Sequence, residues 1–362
     1  MADLKMAPMR RSFTWLPVLL ACLVGLEGCL QVVYRVRNGS WLTGRRPYEV
    51  EHVVRVDDKR GYAYVPNFRD EGQGLTMDEF GFRISPTQKA PATGADVIVA
   101  LGDSVPFGHG LRDEETYPFA LDALLRDAAS PLAVVNAGVQ SYNLQQSIER
   151  FYRDVLEHYH PVAITLQTAN DVALLLTYRA GWTPDTTWAP YRSNVAGILG
   201  WSATLHYLVP VLMPVAGMLA AALPGSLFQV PEEAMLANEE RLLHELIEVC
   251  RAKGTKLVLM PINPFYYQTT RRERNAQLSR WEAWRADTMG WERTIERYND
   301  VLVRVAHTAG PAAGVYLFDV RAELDAQDRE PLYIDFIHHS AEGNRRVAEG
   351  LFTFLEANRI VS

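Results

Sequence analysis

Cysteine is scarce in this 362-residue sequence: there are three, and two of them, Cys22 and Cys29, lie in an apolar stretch near the N-terminus. Three cysteines cannot build a disulfide framework, and no His/Cys group has the spacing of a zinc site, so neither a disulfide staple nor a structural metal is expected. A basic excess is missing too. The 36 Lys and Arg are outnumbered by 43 Asp and Glu, giving a formal net charge of -7 and an isoelectric point near 5.8. Binding to phosphate backbones depends on surplus positive charge, so nucleic acid is not an expected partner. The short run Arg271, Arg272 and Arg274 reads as a solvated helix face. The glycines of "GDSVPFGHG" lack both G-x-G-x-x-G spacing and a Walker lysine, which argues against a nucleotide loop. What is plentiful is apolar material, 48% of residues, enough to bury a substantial core.

Near the N-terminus, residues 13–34, "FTWLPVLLACLVGLEGCLQVVY", are apolar except for Glu27 and Gln31, and come after Arg10 and Arg11. A helix crossing the hydrocarbon core needs about 20 such residues. Glu27 lies towards the C-terminal end of the run, where a charge near the membrane surface costs less than at the centre. Lys5, Arg10 and Arg11 on one side compete with Arg35, Arg37, Arg45 and Arg46 on the other, so charge does not decide the orientation. A cleaved signal peptide would want a small-x-small site, which is absent, and a lipoprotein signal ending at Cys29 would carry an atypical acid in "LEGC". The expectation is a basic segment over 1–12 and an uncleaved signal anchor over 13–34. The remainder of the chain is then expected outside the cytoplasm, periplasmic or extracellular.

Residues 35–95 are polar and rich in turn formers, an extended lead-in expected to pack on the main domain. From residue 96 the pattern changes. Short β-branched runs, "DVIVALG", "LAVVNAG", "VAITLQT", "KLVLMPI" and "VYLFDV", alternate with long helical patterns such as "EEAMLANEERLLHELIEVCRAKG" and "SAEGNRRVAEGLFTFLEAN". Strands that read as continuous apolar runs are buried on both faces, which predicts a three-layer α/β/α domain around a parallel sheet. Ligands in such sheets bind beyond the carboxyl ends of the strands, and Ser104, Gly138 and Asn170 each fall just after a predicted strand. Between the third and fourth strands, residues 173–231 form a long insert rich in Trp, Tyr, Leu and Met. Its length predicts helices of its own, as a lid, a bilayer contact or plain packing.

A hydroxyl nucleophile needs a base for its proton, a group to orient that base, and donors for the developing oxyanion. Ser104 comes after strand one in "GDS", and "YIDFIHHSAEGN" places Asp335 three residues before His338, close enough to hold the imidazole in one tautomer. Oxyanion donors are offered by the Ser104 N–H, the Gly138 N–H in "NAGVQ" and the Asn170 amide in "TAND". Taken singly, each residue has an ordinary explanation as a cap, a turn glycine or a surface pair. His339 is the rival base, and His109 either touches substrate or belongs only to its loop.

The ordered set "GDS", "NAG", "AND" and "DFIH" resembles the SGNH hydrolases, or GDSL esterases and lipases, over about residues 96–357. The lettered residues fall on Ser104, Gly138, Asn170 and His338, with Asp335 as the carboxylate of a catalytic triad. The segment "MDEFGFR" also looks like the lead-in of membrane-anchored bacterial members. Two positions depart from the family pattern: where the third motif usually reads Gly-x-Asn-Asp, this chain has Thr168, Ala169, Asn170 and Asp171, with Thr168 in place of the glycine, and His109 stands where related sequences often carry an aromatic. The resemblance implies a flavodoxin-like sheet, serine-esterase chemistry, and no cofactor or metal. The expected substrate is an acyl ester, acetyl included, of a cell-envelope glycan or lipid. An O-acyltransferase on envelope polysaccharide and a non-catalytic glycan-binding module are the alternatives.

Overall fold

The computed structural model describes residues 15–38, 53–57, 59–168, 170–172, 202, 204, 232–264, 291–324, 330–335 and 337–361. Helix α1 (Trp15–Asn38) comes first, one turn longer at its C-terminal end than the apolar run. Its Pro17–Val36 portion has a mean hydropathy of 1.8 and none of it is buried, so by length and composition it is able to cross a membrane. Glu27, the acidic residue within it, accepts hydrogen bonds from the Gln31 amide at 3.0 Å, the Ser202 hydroxyl at 2.8 Å and the Thr204 backbone N–H at 3.0 Å. Ser202 and Thr204 are the described residues of the 173–231 insert; the helices expected of it, its apolar centre and Arg271, Arg272 and Arg274 lie outside the described residues.

Two small antiparallel pairs make up the lead-in: β1 (Val54–Asp57) with β2 (Gly61–Tyr64), and β3 (Arg69–Asp70) with β4 (Leu75–Thr76). The main sheet comes next. Its strands are β5 (Asp96–Gly102), β6 (Ala133–Asn136), β7 (His160–Gln167), β8 (Lys256–Leu259) and β9 (Val315–Leu317), all parallel in the order β6-β5-β7-β8-β9. Each coincides with one of the five apolar runs. The chain leaves β5 towards one side to make β6, then crosses back to the other side for β7. That reversal opens a crevice at the carboxyl end of β5.

Continuous apolar strands are explained by two separate cores, one on each face of the sheet. Val97, Val99 and Leu101 of β5 pack with Leu144 and Ile148 of α4 (Leu144–Arg150), Leu243 and Leu246 of α5 (Glu232–Lys253), and Ile295 and Leu302 of α6 (Trp291–Ala309). Ile98 and Ala100 of β5 face the other way, against Tyr117 and Leu121 of α3 (Tyr117–Asp127) and Val347 and Leu351 of α7 (Ala341–Ala357). The alternation along one strand therefore feeds both layers, as a three-layer α/β/α fold requires. Local chemistry starts the helices where the sequence allows. Asn143 caps α4 by accepting from the Gln146 N–H while the Gln146 side chain returns the bond, and Ser340 caps α7 by accepting from the Gly343 N–H.

The lead-in does not join the sheet as a full strand. A single bridge pairs Arg83 with Asn136 at the edge formed by β6. Tyr62, Tyr64 and Met77 pack with Phe107, Val139 and Tyr142, which places the lead-in over the loops that leave β5 and β6.

Candidate active site

The last residue of β5 is Gly102, with φ +142. A side chain there would put Cβ 1.8 Å from the Gln167 carbonyl oxygen, so only glycine lets β5 and β7 run this close and turn at once. The next residue, Asp103, accepts from the Val105 N–H at 3.0 Å and caps the short helix α2 (Ser104–Phe107). Ser104 thus stands at the first position of a helix, at the carboxyl end of the switch-point strand. Its N–H is one of the donors that a helix leaves without an internal acceptor.

Ser104 Oγ lies 2.8 Å from His338 Nε2, and His338 Nδ1 lies 2.7 Å from Asp335 Oδ2. The other carboxylate oxygen, Asp335 Oδ1, accepts from the backbone N–H groups of Ile337 and His338 at 2.9 and 2.8 Å. Burial pushes the Asp335 carboxyl up, but the His338 ring and these backbone bonds outweigh it and hold it below the ordinary carboxylate range. An ionised Asp335 accepts only, so Nδ1 carries the proton and Nε2 presents its lone pair to Ser104.

The three candidate oxyanion donors are close to this chain but not equally free. Gly138 packs against α2 so tightly that a Cβ would fall 2.3 Å from the Phe107 nitrogen, and its N–H donates to Asn136 Oδ1 at 3.1 Å. Asn170 Nδ2 donates to Asp103 Oδ2 and to the Tyr142 carbonyl, both at 3.2 Å. Two of the three therefore have protein acceptors already, through long bonds. Asp171, next to Asn170, steadies the loop by accepting from the Leu144 N–H at 2.8 Å, and burial pushes its carboxyl up to about 6.

His339, next to the ring that bonds Ser104, is placed differently. It is 3% exposed, its ring meets Tyr333 edge-on at 5.2 Å, and burial pushes its pKa down to about 3. A histidine kept neutral in the fold but free to take a proton when unfolded withdraws stability as pH falls from its ordinary 6.5 towards 3. Replacing it with phenylalanine, which keeps the ring contact, is expected to flatten the decline of Tm in the upper part of that window. An unchanged acid limb would contradict a buried neutral His339.

Sequence reasoning missed Arg83. This buried side chain from "MDEFGFR" pairs through Nε with Asp113 at 2.8 Å, while Nη1 donates to the carbonyls of Phe107 and Gly108, both at 2.8 Å, and Nη2 to that of Leu111 at 2.6 Å. The guanidinium also lies 4.7 Å over the Phe107 ring. It ties together the loop that follows Ser104. Its sequence signal was only the quoted segment, since carbonyl acceptors leave no side-chain signature.

One group of metal-ligand atoms comes together among the described residues: those of His109, Asp335 and His338 lie within 4.8 Å of one another. Both ring nitrogens of His338 already face partners, so an ion there would have to displace Ser104 or Asp335.

Among solved structures the chain is similar to LAE5, an alpha/beta hydrolase enzyme from the metagenome of Lake Arreo, Spain, at 17% identity over 75% of this chain and 98% of that one, with a TM-score of 0.43. It is similar also to the lipase/acylhydrolase from Enterococcus faecalis, at 14% identity over 74% and 97% of the two chains, TM-score 0.42. A third is Axe2, an acetylxylan esterase from Geobacillus stearothermophilus, at 16% identity over 74% and 95%, TM-score 0.41. No curated protein sequence matches. The family model for GDSL-like lipases and acylhydrolases matches residues 100–346, from within β5 to the first turns of α7. Together with the parallel sheet, that span makes the chain a member of the GDSL-like lipase/acylhydrolase family and a hydrolase of ester bonds.

Proposed function

We propose that the protein is a serine esterase in which Ser104 is the nucleophile, His338 the general base and Asp335 the group that orients it. The observation carrying this reading is the unbroken chain of short hydrogen bonds from Asp335 through His338 to Ser104. His338 Nε2 accepts the Ser104 proton as Oγ attacks the ester carbonyl. The imidazolium that forms is stabilised by Asp335 and passes its proton to the departing alcohol, and water then releases the acid by the same route in reverse. The Ser104 N–H meets the oxyanion directly. The Gly138 N–H and the Asn170 amide join it by sharing or releasing their long bonds to Asn136, Asp103 and Tyr142 as charge develops.

The domain is read as residues 96–357 with an insert at 173–231, preceded by the lead-in and by α1 as a membrane anchor. The length and hydropathy of α1, and the absence of buried residues in its Pro17–Val36 portion, support anchoring. An anchored esterase outside the cytoplasm suits acyl esters of the cell envelope, on glycan or lipid. Hydrolysis of p-nitrophenyl esters from acetyl to long acyl is expected to give the highest kcat/KM with acetyl. A fluorophosphonate probe should label Ser104. A rise of kcat/KM with chain length would move the substrate to lipid, transfer to an added sugar would make the enzyme an acyltransferase, and failure to label would restore the binding-module reading.

A further inference from the structure

His109 sits just past Gly108, which turns the chain at φ +85, and its backbone N–H bonds the Ser104 carbonyl at 3.0 Å. This brings its ring to 4.5 Å from the His338 ring, inclined by 40°, on the exposed side of the site. Its Nδ1 lies 2.9 Å from Gln140 Nε2. An amide nitrogen only donates, so Nδ1 accepts and the ring proton resides on Nε2. Partial burial of the ring, and then the neighbouring His338, lower the His109 pKa, which favours a neutral ring; the Gln140 bond is what selects its tautomer.

Gln140 is itself fixed. Its carbonyl accepts from the Tyr62 hydroxyl and its N–H donates to the Tyr64 hydroxyl at 3.4 Å, both tyrosines being buried in the lead-in core. The lead-in therefore orients Gln140, and Gln140 orients His109. We infer that His109 is a specificity residue whose Nε2–H donates to a hydroxyl next to the scissile ester, so that the alcohol half of the preferred substrate is polyhydroxylated and sugar-like. This rests on the reading of Ser104 and His338 as nucleophile and base.

The chemistry is set by where the leaving group must go. The ester's alcohol oxygen has to approach His338 Nε2 to receive its proton, which brings the next carbon of the alcohol towards His109. There a ring N–H donor and a side-chain amide stand together, and a hydroxyl, able both to donate and to accept, satisfies such a pair. A plain alkyl or aryl alcohol would leave it without a substrate partner.

The test compares three substrates: p-nitrophenyl acetate, a methyl glycoside carrying one acetyl ester beside a free hydroxyl, and the same glycoside with that hydroxyl methylated. The wild type is expected to prefer the free-hydroxyl glycoside over its methylated form by about tenfold or more in kcat/KM. His109→Phe should collapse that preference towards unity, and Gln140→Leu, which frees the ring from its tautomer, should weaken it in the same direction. His109→Gln, which keeps a donor, should restore part of it. A preference that survives both His109→Phe and Gln140→Leu overturns the inference, as does a wild type that cleaves p-nitrophenyl acetate but shows no preference between the glycosides. Failure of the triad reading has a different mark: Ser104→Ala would still hydrolyse p-nitrophenyl acetate.

Discussion

Ser104→Ala is expected to lower kcat for p-nitrophenyl acetate by on the order of 10⁴-fold or more while leaving the circular dichroism spectrum and Tm close to wild type. The serine hydroxyl is one atom at the head of a four-residue helix, and its bond is to a ring nitrogen that is 15% exposed in its side chain, so removing it strands no buried group. What disappears is the atom that attacks. His338→Ala should cost a comparable factor, because the remaining hydroxyl then has no base. His339→Ala should cost little activity, since that ring packs on Tyr333 and the bond to Ser104 is made by His338. Retained hydrolysis in Ser104→Ala, or a larger activity loss in His339→Ala than in His338→Ala, would remove the mechanism proposed for this site.

Arg83→Ala is expected to produce the largest loss of stability, about 3–5 kcal/mol in urea unfolding, together with a marked fall in kcat. The reason is what the guanidinium would leave behind. Its side chain is 3% exposed and that of Asp113 1%, so water does not replace the lost partner, and Asp113 would stay as an unpaired buried carboxylate. The carbonyls of Phe107, Gly108 and Leu111 would lose their shared donors as well. Those carbonyls belong to the loop that carries Ser104, so a structural defect becomes a catalytic one. Arg83→Lys should rescue little, because an ammonium cannot offer the planar set of donors that reaches a carboxylate and three carbonyls at once. An unchanged urea midpoint in Arg83→Ala would refute this account.

The parts of this protein that were legible in the sequence share one property: they repeat, or they carry side chains with the chemistry proposed for the site. The five strands announced themselves because burial on both faces leaves no polar residue to interrupt them, as in "DVIVALG". Ser104, Asp335 and His338 were legible because few structural roles ask for those side chains in that order. Arg83 was not, since a single arginine among polar residues looks solvated until its acceptors, four separate backbone and side-chain groups, are brought to it by folding. The engagement of Asn170 with Asp103 and Tyr142 was equally hidden, because it depends on a separation of 67 and 28 residues closing in space. Gln140 gave no signal at all, its role being set by two tyrosines from the lead-in.

The bridge from Arg83 to Asn136 and the packing of Tyr62 and Tyr64 beneath Gln140 also bear on where the chain can be cut. The family match starts at residue 100, inside β5, and Arg83, Tyr62 and Tyr64, which hold the loop after Ser104 and Gln140 from outside the sheet, lie upstream of it. A fragment starting at that strand would keep Ser104, Asp335 and His338 and forfeit the upstream residues that hold the loop after Ser104. For fusion, swapping or transplantation of this catalytic unit, the workable seam is therefore the stretch between α1 and β1, ahead of residue 53.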